Sequence, residues 1–443
     1  MTHPIQHPTD AVRLDDPEAL RDLPKLWDSL LERYPSGLAP VFLTEGVPAW
    51  LMLSVDVHQQ VLQDPDTFAR DVDWWRDFHN GVVPANSPLR AIYTRRRNVW
   101  NMDGSDHRYY REITVRALAS ISQSQVVAHI DEVVDRVIDT FCAEGRADLV
   151  ARYTSIVPLL VLCRLYGMEA QEGVAVCTAQ RRVWDGAEDA LHVHAQLQRR
   201  MGDLAARRRL EPGQDLVSEF IAAGLDDEEI RDHLTFITAA AHEPAAHTIA
   251  HALRLLLDRK SRLVQLHSGR TVREAINTSL WHSPPMHTLV GRFATRDTEL
   301  GGFRVAAGDC LVQGFGPAQQ LLRRDERLDT ETNRSYLIFG LGPHGCPSVG
   351  RDLALTIAET AVQRLDRRLP DMVLQDDEWQ GGSSTLLSDV ESLRVAFTPT
   401  DRLYEGVPWQ LTASASTPET STETRPRTLS MRLGQWLRWI WQG

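Results

Sequence analysis

The sequence predicts a mainly α-helical chain with small β-sheets, an α+β architecture, and three observations predict it. Apolar residues recur at helical spacing through 125–144, 148–167, 188–208, 227–258 and 270–281, so helices dominate from Gly104 to about residue 282. Strand-like segments come late, in "HTLVGRFATRDTELGGFRVAAGDCLVQG" (287–314) and "SLRVAFTPTDRL" (392–403). Strands do not alternate with helices along the chain, which argues against a doubly wound sheet. With 443 residues, 42% of them apolar, the chain can bury a large core.

The elements follow in order. Leu20, Leu23, Leu26, Leu30 and Leu31 lie at helical spacing within 17–34. "PVFLTEGVPAWLMLS" reads as two short strands around a Glu-Gly-Val-Pro turn, a hairpin at the edge of the fold. Residues 70–104, rich in Trp, Arg, Asn, Gly and Pro without a clear period, read as long loops with short helices, and such loops are usually functional. The loops 70–100 and 168–190 are expected to shape a pocket, where Trp74, Trp75, Phe78 and Trp100 suggest an apolar or aromatic guest. A main domain over 1–411 is followed by a Ser/Thr/Pro/Glu-rich linker over 412–428, which cannot bury a core. The chain closes with a basic, Trp-rich amphipathic helix over 429–443. That helix suits a membrane surface, its own domain or a protein partner, and at 15 residues it would lie on a bilayer without spanning it.

Charge and cysteine usage narrow the class. A net charge of −12 argues against a nucleic-acid role driven by phosphate neutralisation. The five cysteines, Cys142, Cys163, Cys177, Cys310 and Cys346, show no paired spacing, so a reducing cytoplasm is expected. The start "MTHPIQHPTDAVRLDD" carries no secretory pattern, and the tail leaves room for peripheral attachment at the inner membrane surface.

One cysteine stands in an unusual place. In "SYLIFGLGPHGCPSVGRDLALTIAET", Cys346 sits among Gly340, Gly342 and Gly345 and just ahead of a helical pattern. An isolated cysteine at a tight turn is most often a small buried apolar group. Here the glycines let the backbone approach a flat partner, and a helix start points N–H groups toward the sulfur, which favours a thiolate metal ligand.

The segment Phe339-Gly340-x-Gly342-x-His344-x-Cys346 resembles the haem-binding loop of the cytochrome P-450 superfamily, a resemblance that extends over nearly the whole chain. It implies the cytochrome P-450 fold, haem b (iron protoporphyrin IX) as cofactor and Cys346 as the axial iron ligand. Ser348 stands where the family usually has glycine, with Gly350 two residues later. "DGSDHRYYREI" is similar to the family's His-x-x-x-Arg helix, and places His107 and Arg111 one turn apart as propionate partners. By the same resemblance Arg292 and His344 also meet propionates, and Phe339 and Gly340 belong to the cofactor loop.

Ala240, Ala241, His242, Glu243, Pro244 and Ala245 look like the family's oxygen-binding helix signature, in a helix of about 30 residues capped by Asp226 and Glu229. Glu243 holds the acid position and is expected to have a raised pKa. Pro244 replaces the threonine whose hydroxyl helps deliver protons, frees the Ala240 carbonyl and is expected to kink the helix. Water held by Glu243, His242 or that carbonyl, or a hydroxyl on the substrate, would then have to stand in. The family's Glu-x-x-Arg pair is also missing: counting back from Pro284 puts Asn277 and Leu280 in its places, and Glu274 one turn earlier has Asn277 where the arginine belongs. These departures resemble an atypical bacterial subgroup.

Three functional readings follow. The resemblance implies a monooxygenase that oxidises a small organic substrate with electrons from a ferredoxin-type partner docking on a basic face around Arg108, Arg111 and Arg116. The alternatives are a haem-binding regulatory or scaffold protein, or atypical haem chemistry such as phenolic coupling or peroxide-driven oxidation.

Overall fold

A computed structural model describes residues 10–404, apart from 86, 88, 90–92, 94, 185–189, 259–270, 376–387 and 389. The linker expected over 412–428 and the helix expected over 429–443 lie outside the described residues.

The first half of the chain builds a sheet and the wall of a cavity. Strand β1 (Val12–Arg13) precedes α1 (Leu23–Arg33), whose N-cap Asp22 accepts from the Lys25 N–H. The expected hairpin forms as β2 (Leu38–Phe42) and β3 (Pro48–Met52), followed by α2 (Val55–Gln63), β4 (Phe68–Ala69) and α3 (Arg76–His79). The hairpin is no edge appendage. It lies inside a six-stranded sheet, because β3 pairs in parallel with a strand from the far end of the chain.

Helices then dominate as expected. They are α4 (Gly104–Ser120), α5 (Gln123–Asp139), α6 (Val157–Leu165), α7 (Ala170–Trp184), α8 (Ala190–Leu210) and α9 (Leu216–Ala222). The long α10 (Asp227–Leu257) follows, then α11 (Val272–His282). Segment 170–184, expected as loop, is therefore helix; a short β5 (Arg146–Asp148) interrupts the run earlier. The α10 capping box is reciprocal: Glu229 N–H donates to Asp226 at 2.8 Å and Asp226 N–H donates to Glu229 at 2.9 Å. Helix α10 runs on through Pro244 without interruption, so the expected kink does not break it.

The late strands close the sheet. They are β6 (Thr288–Ala294), β7 (Thr298–Leu300), β8 (Phe303–Val305) and β9 (Cys310–Gly314), after which come α12 (Phe315–Leu322), α13 (Ser348–Arg368), β10 (Val373–Leu374) and β11 (Arg394–Ala396). The large sheet has the order β1-β2-β3-β9-β6-β4, and β10-β11-β5 and β7-β8 form two small ones. One apolar core joins α5, α6, α10 and α13; two smaller cores lie on the faces of the sheet. Leu341, at the start of the cysteine loop, packs against both the helical core and the one around Val61 and Leu62.

Three of the expected aromatic pocket residues lie elsewhere. Trp75 is fully buried, stacked on Phe78 and Phe293 with centroids 5.5 and 5.3 Å away, and Trp74 is exposed. Trp100 alone of the four lines the cavity.

Candidate active site

The cysteine loop is held by its own backbone. The 3-10 turn Leu337–Phe339 ends at Gly340, whose φ of 70° and ψ of −179° suit glycine alone. Cys346 N–H returns to the Phe339 carbonyl at 2.7 Å, and Gly345 N–H to the Gly342 carbonyl at 3.0 Å. A Cβ on Gly342 would sit 2.0 Å from the Leu62 carbonyl oxygen, so the loop lies directly on the backbone of α2. Helix α13 starts two residues past the cysteine. A Cβ on Gly350 would meet the Cys346 sulfur at 3.4 Å, an ordinary van der Waals contact.

Cys346 opens into a cavity of about 480 Å³. His107, Arg111, Arg292, His344, Phe339 and Gly340 line the same cavity. Arg111 Nη1 donates to the Gly345 carbonyl at 2.8 Å, tying α4 to the loop. The His107 and His344 rings stack with centroids 3.9 Å apart and planes at 29°. His344 Nε2 donates to Asp103 at 3.1 Å. Burial takes the His344 pKa down to about 3 although Asp103 pulls it up, and burial, with Arg111 adding to it, takes His107 down to about 4. Arg292 is buried, and burial lowers it to about 10.

Two partners here carry no local sequence signal. Asp103 also accepts from the backbone N–H groups of Arg70 and Asp71, both at 2.7 Å. Burial raises the Asp103 pKa, but His344 and these donors more than offset that and hold it low. Arg70 is buried, lies 3.1 Å over the Trp100 ring and donates to the Gly291 carbonyl. Only its place in the fold reveals it.

These groups fit the expected cofactor. His107 Nε2, His344 Nδ1, Arg70 Nε and Arg292 Nε are buried beside the cavity without a hydrogen-bond partner, which is costly unless an anion meets them. With Nε2–H given to Asp103, His344 Nδ1 can donate only from a doubly protonated ring, a state that an anion at this place would favour. The thiol departs from expectation. The Cys346 side chain is exposed to the cavity, yet desolvation by the surrounding walls raises its pKa to about 11 against the pull of Arg111 and Arg351; bound iron would favour the thiolate.

The distal wall is a stripe of α10. Phe236, Ala240, Pro244 and Thr248, four residues apart, face the cavity together with Ala239. Glu243 and His242 do not line it. Glu243 Oε1 lies 3.3 Å from His242 Nδ1 and Oε2 lies 3.4 Å from His247 Nε2, and His242 Nε2 donates to the Ser155 carbonyl at 2.8 Å. Burial would raise the Glu243 pKa, but the two imidazoles more than offset it and the net shift is downward, opposite to the sequence expectation. Thr248, which the motif did not single out, donates its hydroxyl to the Pro244 carbonyl at 2.7 Å.

Behind the loop a neutral brace occupies the Glu-x-x-Arg region. Asn277 Nδ2 donates to the carbonyls of Thr330, Glu331 and Asn333 at 3.0, 2.9 and 2.8 Å. Gln319 Nε2 donates to the Leu280 carbonyl at 2.8 Å, and its Oε1 accepts from Leu337 N–H at 3.2 Å, at the start of the turn leading to Cys346. Glu274 caps α11 with Thr271.

No family model matches the chain. It is 27% identical over 388 residues to a 2-hydroxy-5-methyl-1-naphthoate 7-hydroxylase of Streptomyces carzinostaticus, covering 82% of this chain and 92% of that one. It is 28% identical over 355 residues to a mycinamicin IV hydroxylase/epoxidase of Micromonospora griseorubida, covering 76% and 85%. Its structure superimposes on CYP154C4 from Streptomyces sp. ATCC 11861 with a TM-score of 0.77 and 25% identity, over 87% of this chain and 98% of that one. Fold and relatives are those of a haem-dependent oxidoreductase, and Cys346 shares one cavity with buried arginine and histidine side chains. Its fold is the cytochrome P450 fold, the relatives it matches are bacterial cytochrome P450s, and haem is the cofactor that this likeness implies.

Proposed function

We propose that the protein is a monooxygenase that oxidises a small organic substrate against the α10 wall, using O2 and electrons from a ferredoxin-type partner. The observation that carries this reading is that Cys346 lines one cavity with a stripe of small residues on α10 and with His107, Arg111, Arg292 and His344. Haem bound there supplies oxygen reduction and insertion of one oxygen atom into the substrate. Cys346 would hold the iron; the four cationic or imidazole side chains, with Arg70, would hold the propionates. Ala239 and Ala240 leave room for substrate. The exposed Arg108 and Arg116 offer charge to an acidic electron donor, whereas Arg111 lines the cavity and also ties the loop through the Gly345 carbonyl. The relatives named hydroxylase and hydroxylase/epoxidase support this reading.

Pro244 favours a second reading, slow turnover or peroxide-driven oxidation. No hydroxyl stands at its place, and Glu243 is turned from the cavity and held ionised between two imidazoles. The Thr248 hydroxyl and the Ala240 carbonyl, which lacks a donor from Pro244, remain to hold water at the wall.

The ferrous carbon monoxide spectrum tests the ligand. The thiolate-type Soret band is expected in wild type and absent in Cys346→Ala; its absence in wild type sinks both readings. Product formation with a surrogate ferredoxin chain, compared with product formation on hydrogen peroxide, then separates them.

A further inference from the structure

One of the buried cations at the cavity is held in an unusual way. Arg70 is buried, and its backbone N–H goes to Asp103 Oδ2 at 2.7 Å. Among the described residues its guanidinium makes a single hydrogen bond, from Nη1 to the Gly291 carbonyl, and Nε is buried without a partner. Asp103 is already engaged: Oδ2 takes the N–H groups of Arg70 and Asp71, and Oδ1 takes His344. Burial takes the Arg70 pKa well below the ordinary arginine value, Arg292 takes it lower, and Tyr93 and Asp103 pull it back only in part.

What covers the guanidinium is an aromatic face. Arg70 Cζ lies 3.1 Å from the centre of the Trp100 ring, so the cation rests against the indole. Trp100 is itself fixed to α10. Its N–H donates to Asn98 Oδ1 at 3.0 Å, and Asn98 Nδ2 donates to the Asp232 carbonyl at 3.3 Å. The indole also packs beside Phe236, with centroids 5.4 Å apart and planes at 30°. Arg70, Trp100 and Phe236 all line the cavity and form a row from the buried cations to the distal wall. An aromatic face attracts a cation through its quadrupole and pairs with none of its N–H groups, so Nε–H stays available to an anion.

We propose that Trp100 is a positioning residue for the cofactor: its face keeps the Arg70 guanidinium charged and in place, with Nε–H left for a haem propionate. A carboxylate in the same place would pair with the arginine and compete with the propionate for it, and water would let the side chain turn. The inference rests on the reading of this cavity as a haem site. It adds a residue that lies outside both the cysteine loop and the helix of His107 and Arg111.

The test is a double-mutant cycle on the haem-loaded protein, read by the rate of haem transfer to excess apomyoglobin and by the midpoint potential. Trp100→Leu is expected to speed transfer at least about tenfold, the loss of one desolvated contact between cation and ring. It should also lower the potential, because a cation near the haem favours the reduced iron. In the Arg70→Gln background the same change should add nothing to either reading. Trp100→Phe keeps an aromatic face and should stay nearer wild type than Trp100→Leu does. Trifluorotryptophan at position 100 keeps the shape of the indole and removes its negative face, so both readings should move toward those of the leucine variant even if that variant folds poorly. An equal effect of Trp100→Leu with and without Arg70, a phenylalanine variant as impaired as the leucine one, or a fluorinated indole that behaves as wild type overturns the proposal. Any of these results in protein that shows the thiolate-type ferrous carbon monoxide band sinks this inference alone; wild type without that band sinks the haem-site reading beneath it.

Discussion

Asn277 holds the carbonyl of Asn333 at 2.8 Å, and Trp281 on the same helix donates to that oxygen at the same distance. One amide group with two hydrogens thus serves three carbonyls in the segment before the cysteine loop.

Asn277→Ala is therefore expected to destabilise the protein by roughly 2 kcal/mol, two net hydrogen bonds at about 1 kcal/mol each. Asn277→Glu, which restores an acid at this place, should be worse than alanine, because a carboxylate would face three carbonyl oxygens and no donor. Urea denaturation of both variants checks the order. A glutamate variant more stable than the alanine one would refute the neutral brace.

Arg70 and Arg292 should matter for cofactor retention. Arg70→Ala or Arg292→Ala is expected to speed haem transfer to excess apomyoglobin at least about tenfold, since each removes a charge-assisted hydrogen-bond donor. Gly291→Ala should act like the Arg70 variant, because its Cβ would lie 2.9 Å from Arg70 Nη1 at a φ of +119°. Transfer at the wild-type rate in all three would remove these arginines from the site.

Pro244 can be dissected with two variants. Pro244→Ala restores the helix hydrogen bond to Ala240 and should stabilise the protein by about 1–3 kcal/mol. Pro244→Thr adds a hydroxyl to the cavity wall and should raise product formed per NADPH at least about tenfold over both wild type and alanine. Equal coupling in the threonine and alanine variants would show that the hydroxyl is not what turnover lacks.

Stability should fall in acid. Burial lowers His58 and His233 to about 4 and His251 to about 3, from an ordinary 6.5. Folded-state values below the unfolded one mean that the unfolded chain binds protons first as pH drops. The stabilisation is complete above about pH 6.5 and is lost progressively toward pH 4. The urea midpoint should decline steeply over that window, and His58→Phe should lower the slope by about one proton. An unchanged slope in that variant would mean that His58 already carries its charge in the folded state.

Legibility in the sequence followed the range of each interaction. The Gly340 to Cys346 turn, the His107 and Arg111 pair and the α10 cap could be read because each is local, set by spacing along one strand of chain or one helix face. Asp103 and His344, 241 residues apart, meet only in the fold, as do Arg70 and Gly291, 221 apart. Glu243 was correctly placed on a buried helix but its direction was missed: the motif does not say that His242 and His247 would flank it and pull its proton away. For Cys346 the shift is upward, because desolvation by the surrounding walls is invisible in the loop's own sequence. Trp75 shows the limit of composition, since a tryptophan in a loop-rich stretch serves a core as well as a pocket.

Gly342 lies on the backbone of α2, and Leu341 beside it belongs to two apolar cores at once. The bond between Cys346 and iron would then act as a rivet: closing it would clamp α2 and the six-stranded sheet to the helical body through a few residues of loop. Cofactor insertion and the docking of these two halves become one event, so apo-protein should be loosest at this seam, far from the substrate wall, and protease cuts after haem removal should cluster around 62–68.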